Sequence, residues 1–162
     1  MHTTKSKITY NSLISVIIPT YNRKAMCLSA VESVLAQLKV NVEIIVVDDG
    51  SSDGTKEYLT HVFDKITYIF QSNQGVSIAR NNGLNVAKGA YIAFLDSDDT
   101  FTTSHLYDSF NVLADDETKD LVFSKVLRGE HPNKSDVSFL ENKFILGVGE
   151  YKKNMRLGDP RE

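Results

Sequence analysis

The chain has 162 residues, 41% of them hydrophobic and 24% charged, the size and balance of one globular domain able to bury a core. Its formal net charge of −3, without a concentrated basic stripe, argues against nucleic acid as a partner bound through its phosphates. The only cysteine, Cys27, excludes an internal disulfide and a multi-cysteine zinc site.

Apolar runs such as residues 16–18 and 44–47 fall far short of the roughly 20 residues of a membrane span, so no transmembrane segment is expected. Residues 1–10 lack an apolar core of signal-peptide length, which points to a cytoplasmic protein or the soluble part of a larger one, with the cytoplasm or the cytoplasmic membrane face as the expected location. Cys27 follows Met26 in an apolar stretch and is expected to be a buried, inert thiol. His2, His61, His105 and His131 are scattered without ligand spacing and read as ordinary residues.

In chain order, residues 15–18 (SVII) predict a first strand stopped by Pro19, which has no N–H for a sheet ladder. Leu28, Val31, Leu35 and Leu38 then recur at steps of three and four, one apolar face of a helix. Residues 43–47 (EIIVV) predict a second strand, and the Asp, Gly and Ser of residues 48–54 a turn. A short helix is expected over 55–61 and a third strand over 66–70. Val76, Ala79, Gly83 and Ala87 mark a small-residue helix face that lies close to a sheet, with Gly89 as its stop and Arg80 near its rim. A fourth strand is predicted over 91–95, a helix carrying Leu106, Phe110 and Leu113 after it, and a further strand over 121–123. Alternation of this kind calls for an α/β fold, a mostly parallel sheet with helices on both faces.

Open parallel sheets bind ligands at the carboxyl ends of their strands, so those ends are where chemistry is sought. The fourth strand ends in Asp96, Ser97, Asp98 and Asp99. Two carboxylates at i and i+2 converge on one hard cation, Mg²⁺ or Mn²⁺, when phosphate oxygens and water supply the other ligands. A solvated turn capping the next helix from Asp99 or Ser104 is the competing explanation. At the second strand's end, Asp48 and Asp49 cannot both enter one core. One is expected at the cleft, where a carboxylate can accept a ring N–H of a base, while Asp53 is placed to cap a helix. Tyr21 follows the first strand, where it can stack on a base or pack on neighbouring side chains. Arg80 has the forked donors that suit a pyrophosphate or a surface ion pair. Jointly, an aromatic, a carboxylate, a basic helix and an acidic pair describe a site for a nucleotide diphosphate.

Four segments, SVIIPTYNR at 15–23, EIIVVDDGSSDGT at 43–55, NQGVSIARNNGL at 73–84 and AYIAFLDSDD at 90–99, stand in the order and spacing of a known family. Together they closely resemble the donor-binding N-terminal half of inverting glycosyltransferases of family 2, which have the Rossmann-like GT-A fold. The resemblance implies that Pro19 and Tyr21 line a nucleobase pocket and that Asp49 hydrogen-bonds the base. It places Asp96 and Ser97 at the ribose and diphosphate, Asp98 on the divalent metal, and Arg80 in the stretch that closes over the donor. The implied activity is hexosyl transfer from a nucleotide-diphosphate sugar, UDP-linked by expectation, to a glycan or lipid-linked acceptor in cell-surface polysaccharide synthesis.

The resemblance implies a general base, often in a Glu-Asp pair well downstream of the Asp96-Ser97-Asp98 motif. No such pair stands after Asp99, so the base is expected either in an acceptor half outside this sequence or at an unrecognised place in it. Residues 115–117 (DDE) read as a polar linker, and Glu130, Asp136, Glu141 and Glu150 are isolated. The expected organisation is an extension at 1–13, a GT-A domain at 14–128, and a partial acceptor-side segment or tail at 129–162. A donor-binding or assembly module that performs no transfer is the alternative to a competent enzyme. A phosphoacceptor receiver domain, suggested by Asp48 and Asp49, is disfavoured because the third strand ends at Phe70 and Gln71 without the needed aspartate.

Overall fold

The computed structural model describes residues 12–62, 64, 66–114, 121 and 122. The elements run β1 (Leu13–Thr20), α1 (Lys24–Leu35), β2 (Asn41–Asp48), α2 (Thr55–Val62), β3 (Ile66–Phe70), α3 (Val76–Val86), β4 (Tyr91–Phe94) and α4 (His105–Ala114). The four strands form one sheet in the order β3-β2-β1-β4, with every pairing parallel. All four carboxyl ends therefore emerge along one edge, and the strand order reverses between β1 and β4, where ligand crevices form in such sheets.

Alternation along β1 and β2 distributes the core over two faces. Ile14, Val16, Ile18, Ile44 and Val46 pack with Cys27, Ala30, Val31 and Val34 of α1, Leu59 of α2 and Leu106 of α4. On the opposite face, Ile17, Ile45 and Val47 pack with Ala79 and Ala87. Strands covered on both sides read as continuous apolar runs, the pattern of IIVV in β2.

β1 continues one residue past Pro19, which pairs in register with Val47. The Leu95 N–H donates to the Ile17 carbonyl and the Asp49 N–H to that of Thr20, so odd-numbered residues of β1 turn their polar groups toward β4. Pairing with β4 ends at Ile17, and the next rung on that side would need the N–H that Pro19 lacks, whereas the ladder to β2 uses even-numbered residues and runs on to Thr20.

α3 approaches the sheet through Gly83, where an added Cβ would lie 2.5 Å from Ile17 Cγ2 and 3.3 Å from Val47 Cγ2. Val76, at the start of the expected face, is exposed. The α1 stripe is rotated from the expected one: Cys27, Ala30, Val31 and Val34 are buried, whereas Leu35 and Leu38 are exposed. The small Cys27 and Ala30 let α1 seat closely on the sheet, and the helix ends at Leu35, before Leu38. Gly89 is not the stop of α3, which ends at Val86 with Ala87 extended at its C-cap. Instead Gly89 lies against β1, where a Cβ would meet the Ser15 N at 2.6 Å.

Ser104 stands at the N-cap position of α4, its carbonyl accepting from the Asp108 N–H at 2.8 Å. The Leu106 N–H donates to Gln37 Oε1 at 2.9 Å, and Gln37 Nε2 donates to the Thr102 carbonyl, so α1's C-terminal loop closes the start of α4. Leu121 and Val122 are not in a strand, contrary to expectation. An apolar tripeptide forms a strand only where a sheet edge receives it, and among the described residues β4 pairs with β1 alone. Phe123 and the segments at 1–11 and 129–162 lie outside the described residues, as do Asp115, Asp116 and Glu117.

Candidate active site

The loops leaving the four strands bond to one another in a closed ring. After β1, the Asn22 N–H donates to Ser51 Oγ at 2.8 Å, and Asn22 Oδ1 accepts from the Ser52 N–H at 2.8 Å. Asn22 holds a left-handed φ of 51°, a conformation asparagine adopts more readily than most residues. The Lys24 N–H donates to Asp53 Oδ2 at 3.0 Å, and Asp53 Oδ1 accepts from the Thr55 N–H at 3.1 Å. Asp53 thus caps α2, as expected, and ties the start of α1 to it. The Thr55 hydroxyl first, with the backbone donors, holds the Asp53 carboxyl below the usual range despite some desolvation.

Asp48 and Asp49 divide their work by alternation. Asp48 is fully buried on the α1 face, where it accepts from the Ser51 N–H at 2.7 Å and from the Tyr68 hydroxyl. Burial first, and then that bond to Asp48, raises the Tyr68 phenol above its ordinary range, so Tyr68 remains a donor. Asp49 turns to the α3 face. Its Oδ1 accepts from Gln71 Nε2 and the Gln74 N–H, and its Oδ2 from the Gly75 N–H, each at 2.8 Å. With Asp49 5% exposed, these three bonds suspend the β3 loop from the end of β2. A carboxylate offers about four lone-pair positions, so one on Oδ2 remains beyond these three. Gly50 makes the turn possible: its φ is +89°, and a Cβ there would meet the Asn73 N at 2.9 Å.

The ring continues through α3. Gln71 Oε1 accepts from Asn82 Nδ2 at 2.6 Å, and Arg80 reaches Asp96 at 2.5 Å. The Arg80 guanidinium also lies over the Phe94 ring, 5.8 Å from its centroid. Arg23, which precedes α1, closes the circuit by contacting Asp98 Oδ2 at 2.7 Å. The Asp99 N–H donates to the Asp96 carbonyl at 3.0 Å, folding residues 96–99 into a turn with Ser97 buried and Asp96 and Asp98 half-exposed.

Of the residues singled out from sequence, Asp49, Arg80, Asp96 and Asp98 all enter this ring, and Pro19, Tyr21 and Ser97 flank it on the same edge. Pro19 is buried, whereas Tyr21 is 48% exposed and leaves its ring face available for stacking. Arg23, Asn22, Gln71 and Tyr68 were not anticipated. Cys27 is buried as expected, and burial chiefly pushes its thiol up to about 11.

The donor set suits a hard cation of one kind only. Among the described residues no group of three or more His, Cys, Asp or Glu side chains is placed to hold a metal, so an all-protein cage is not formed there. Asp96 and Asp98 present half-exposed carboxylates on one turn, which fits Mg²⁺ or Mn²⁺ bound through one or two carboxylates with phosphate and water completing the shell.

Open parallel α/β sheets with polar residues gathered at the carboxyl edge serve many ligand-binding enzymes, GT-A glycosyltransferases among them. The sequence matches Glycosyl transferase family 2 over residues 15–157, and the chain belongs to that family. It is 40% identical over 114 residues, 69% of this chain, to the Escherichia coli UDP-Glc:alpha-D-GlcNAc-diphosphoundecaprenol beta-1,3-glucosyltransferase WfaP. The chain spans less than half the length of the curated relatives it matches, 44% for that glucosyltransferase and 17% for an uncharacterized glycosyltransferase of Rickettsia felis. The structure is similar to S. aureus TarS 1-349 in complex with UDP-GlcNAc, with a TM-score of 0.60 and 30% identity over 75% of this chain and 37% of that one. It is also similar to the Pyrobaculum calidifontis mannosyltransferase PcManGT in complex with GDP-Man and Mn²⁺, with a TM-score of 0.61 and 25% identity over 69% of this chain and 35% of that one.

Proposed function

We propose that this chain is the donor-binding domain of an inverting hexosyltransferase that takes a nucleotide-diphosphate sugar, UDP-linked, together with Mn²⁺ or Mg²⁺. The observation that carries this reading is the closed ring: four strand ends are bonded into one rim whose open positions are an aromatic face, a buried carboxylate and an arginine-flanked acidic turn. Tyr21 and Pro19 form the walls for the base, and Asp49 accepts its ring N–H with the remaining Oδ2 position. Arg80, Asp96 and Ser97 hold the ribose and diphosphate, and Asp98 holds the cation. When bound, the cation neutralises charge on the departing nucleoside diphosphate.

The rim's rigidity is what this domain contributes to the reaction. Asp48, Asp53 and Asn22 fix the loop after β2 from three directions, so the groups that meet the donor are oriented before it arrives. The expected acceptor is a glycan or a lipid-linked saccharide in cell-surface polysaccharide synthesis, at the cytoplasmic face of the membrane. Support comes from the family and from relatives whose names specify UDP-glucose or UDP-GlcNAc as ligand.

Calorimetry with UDP, with and without Mn²⁺, tests the assignment. Binding is expected to tighten with metal in the parent and to lose that dependence in Asp98→Ala. An Asp98→Ala chain that binds UDP and Mn²⁺ as the parent does refutes the metal role.

A further inference from the structure

Arg23 has no task in the function proposed above, yet its place is well defined. It immediately precedes α1, and its neighbours are pinned to the β2 loop by Asn22 N–H to Ser51 Oγ at 2.8 Å and Lys24 N–H to Asp53 Oδ2 at 3.0 Å. The backbone at Arg23 is therefore held while its side chain spans the cleft mouth to Asp98 Oδ2 at 2.7 Å. Both partners are about half exposed, 48% and 46%, which makes the pair a weak contributor to folding and a ready one to exchange. A guanidinium fork that meets a carboxylate has the geometry to meet a phosphate equally well.

Charge explains why such a pair is needed. Asp96, Asp98 and Asp99 share one turn, and unpaired they repel one another. Arg80 and Arg23 each offset one of them, so the positive charge assigned to the cation is already represented beside Asp98 by Arg23. A guanidinium and a divalent cation on the same carboxylate repel, and a diphosphate bound with that cation would offer Arg23 the oxygens a guanidinium fork pairs with.

We propose that Arg23 is a donor-positioning residue that pairs with Asp98 in the donor-free cleft and passes to the diphosphate when a nucleoside diphosphate binds with its cation. This rests on Asp98 as the metal-binding carboxylate. Arg23 then acts in opposite senses on the two ligands: it competes with free metal for Asp98, and it adds a charge-assisted contact to the nucleotide.

Mn²⁺ binding to the full chain without nucleotide is read from the electron paramagnetic resonance of free Mn²⁺, and UDP binding at saturating Mn²⁺ by calorimetry. Arg23→Ala is expected to bind Mn²⁺ alone up to about fivefold more tightly, the range of half-exposed ion pairs. The same variant should bind UDP with Mn²⁺ roughly tenfold more weakly, as loss of a charge-assisted bond implies. Arg23→Gln is the second variant, with the same opposed pair of shifts expected, and Arg23→Lys should recover part of the UDP affinity. A merely structural role would weaken both ligands together, and that result overturns the proposal. Unchanged Mn²⁺ affinity in Arg23→Ala, with Asp98→Ala abolishing it, also overturns the proposal but leaves the metal assignment standing. Mn²⁺ binding that survives Asp98→Ala overturns the assignment on which the proposal rests.

Discussion

Replacing Asp49 by Asn keeps the side chain's shape and removes its charge and one acceptor, which isolates what the carboxylate does for the rim. With the amide oxygen at the Oδ1 position, Gln71 Nε2 and the Gln74 N–H keep their acceptor, but the Gly75 N–H faces an amide NH₂. The flipped amide is worse, because two donors then face a donor. An orphaned buried N–H costs about 1–3 kcal/mol, and the two remaining bonds weaken when their acceptor loses its charge. Gln74 and Gly75 are exposed residues, however, and water takes up part of the loss. The expected cost is therefore about 1–3 kcal/mol, not the sum of three charged bonds, out of the roughly 5–15 kcal/mol that a domain has. Urea denaturation should show the midpoint falling with the slope m unchanged. UDP affinity should fall as well, since the loop at 71–75 loses its tether. A midpoint within error of the parent's would refute the claim that Asp49 suspends this loop.

Gly83→Ala sets helix propensity against packing. The helix gains about 1 kcal/mol, but a Cβ 2.5 Å from the stiff, fully buried Ile17 costs about 1–3 kcal/mol, so thermal melting should show a net loss of about 1 kcal/mol. Cys27, with its thiol pushed up to about 11, has about one thiol in a thousand ionised at pH 8. It should resist a thiol reagent in the native state and react fully in denaturant, and rapid native labelling would contradict its burial. Burial raises the Glu43 carboxyl, but hydrogen bonds from Ser15 and the Lys88 and Gly89 N–H groups, with the Lys88 charge, outweigh it and hold the carboxyl below its ordinary value. The stability this group adds is present above its unfolded pKa and is lost as pH falls through the lower folded one. Glu43→Gln should therefore flatten the acid limb of the stability curve below about pH 4.5, and an unchanged limb would contradict the assignment.

The strands were legible because burial on both faces leaves uninterrupted runs such as IIVV in β2, which no amphipathic helix produces. Helix existence was legible too, but not which face of α1 is buried: Leu35 and Leu38 have the greater hydrophobicity, whereas seating close to the sheet favours Cys27 and Ala30. Pro19 read as a terminator because its missing N–H was weighed without knowing that the ladder to β2, which uses the even-numbered residues of β1, carries the strand on to Thr20. At the candidate site, Asp49, Asp96 and Asp98 stood out as carboxylates closing apolar strands. Arg23 and Tyr68 did not, since their partners lie 75 and 20 positions away and such contacts leave no periodic trace. Arg23, three positions past the end of β1, was nonetheless a fair candidate for that edge once Tyr21 had been chosen.

Amide chemical-shift mapping with UDP and Mg²⁺ tests the central claim, that four separate strand ends make one donor cleft, most directly. Perturbations are expected together at residues 20–23, 49–52, 71–75 and 96–99, with the opposite edge at Ser15, Glu43 and Gly89 unaffected. Shifts confined to a single one of those loops, or centred on the edge at Glu43, would contradict it.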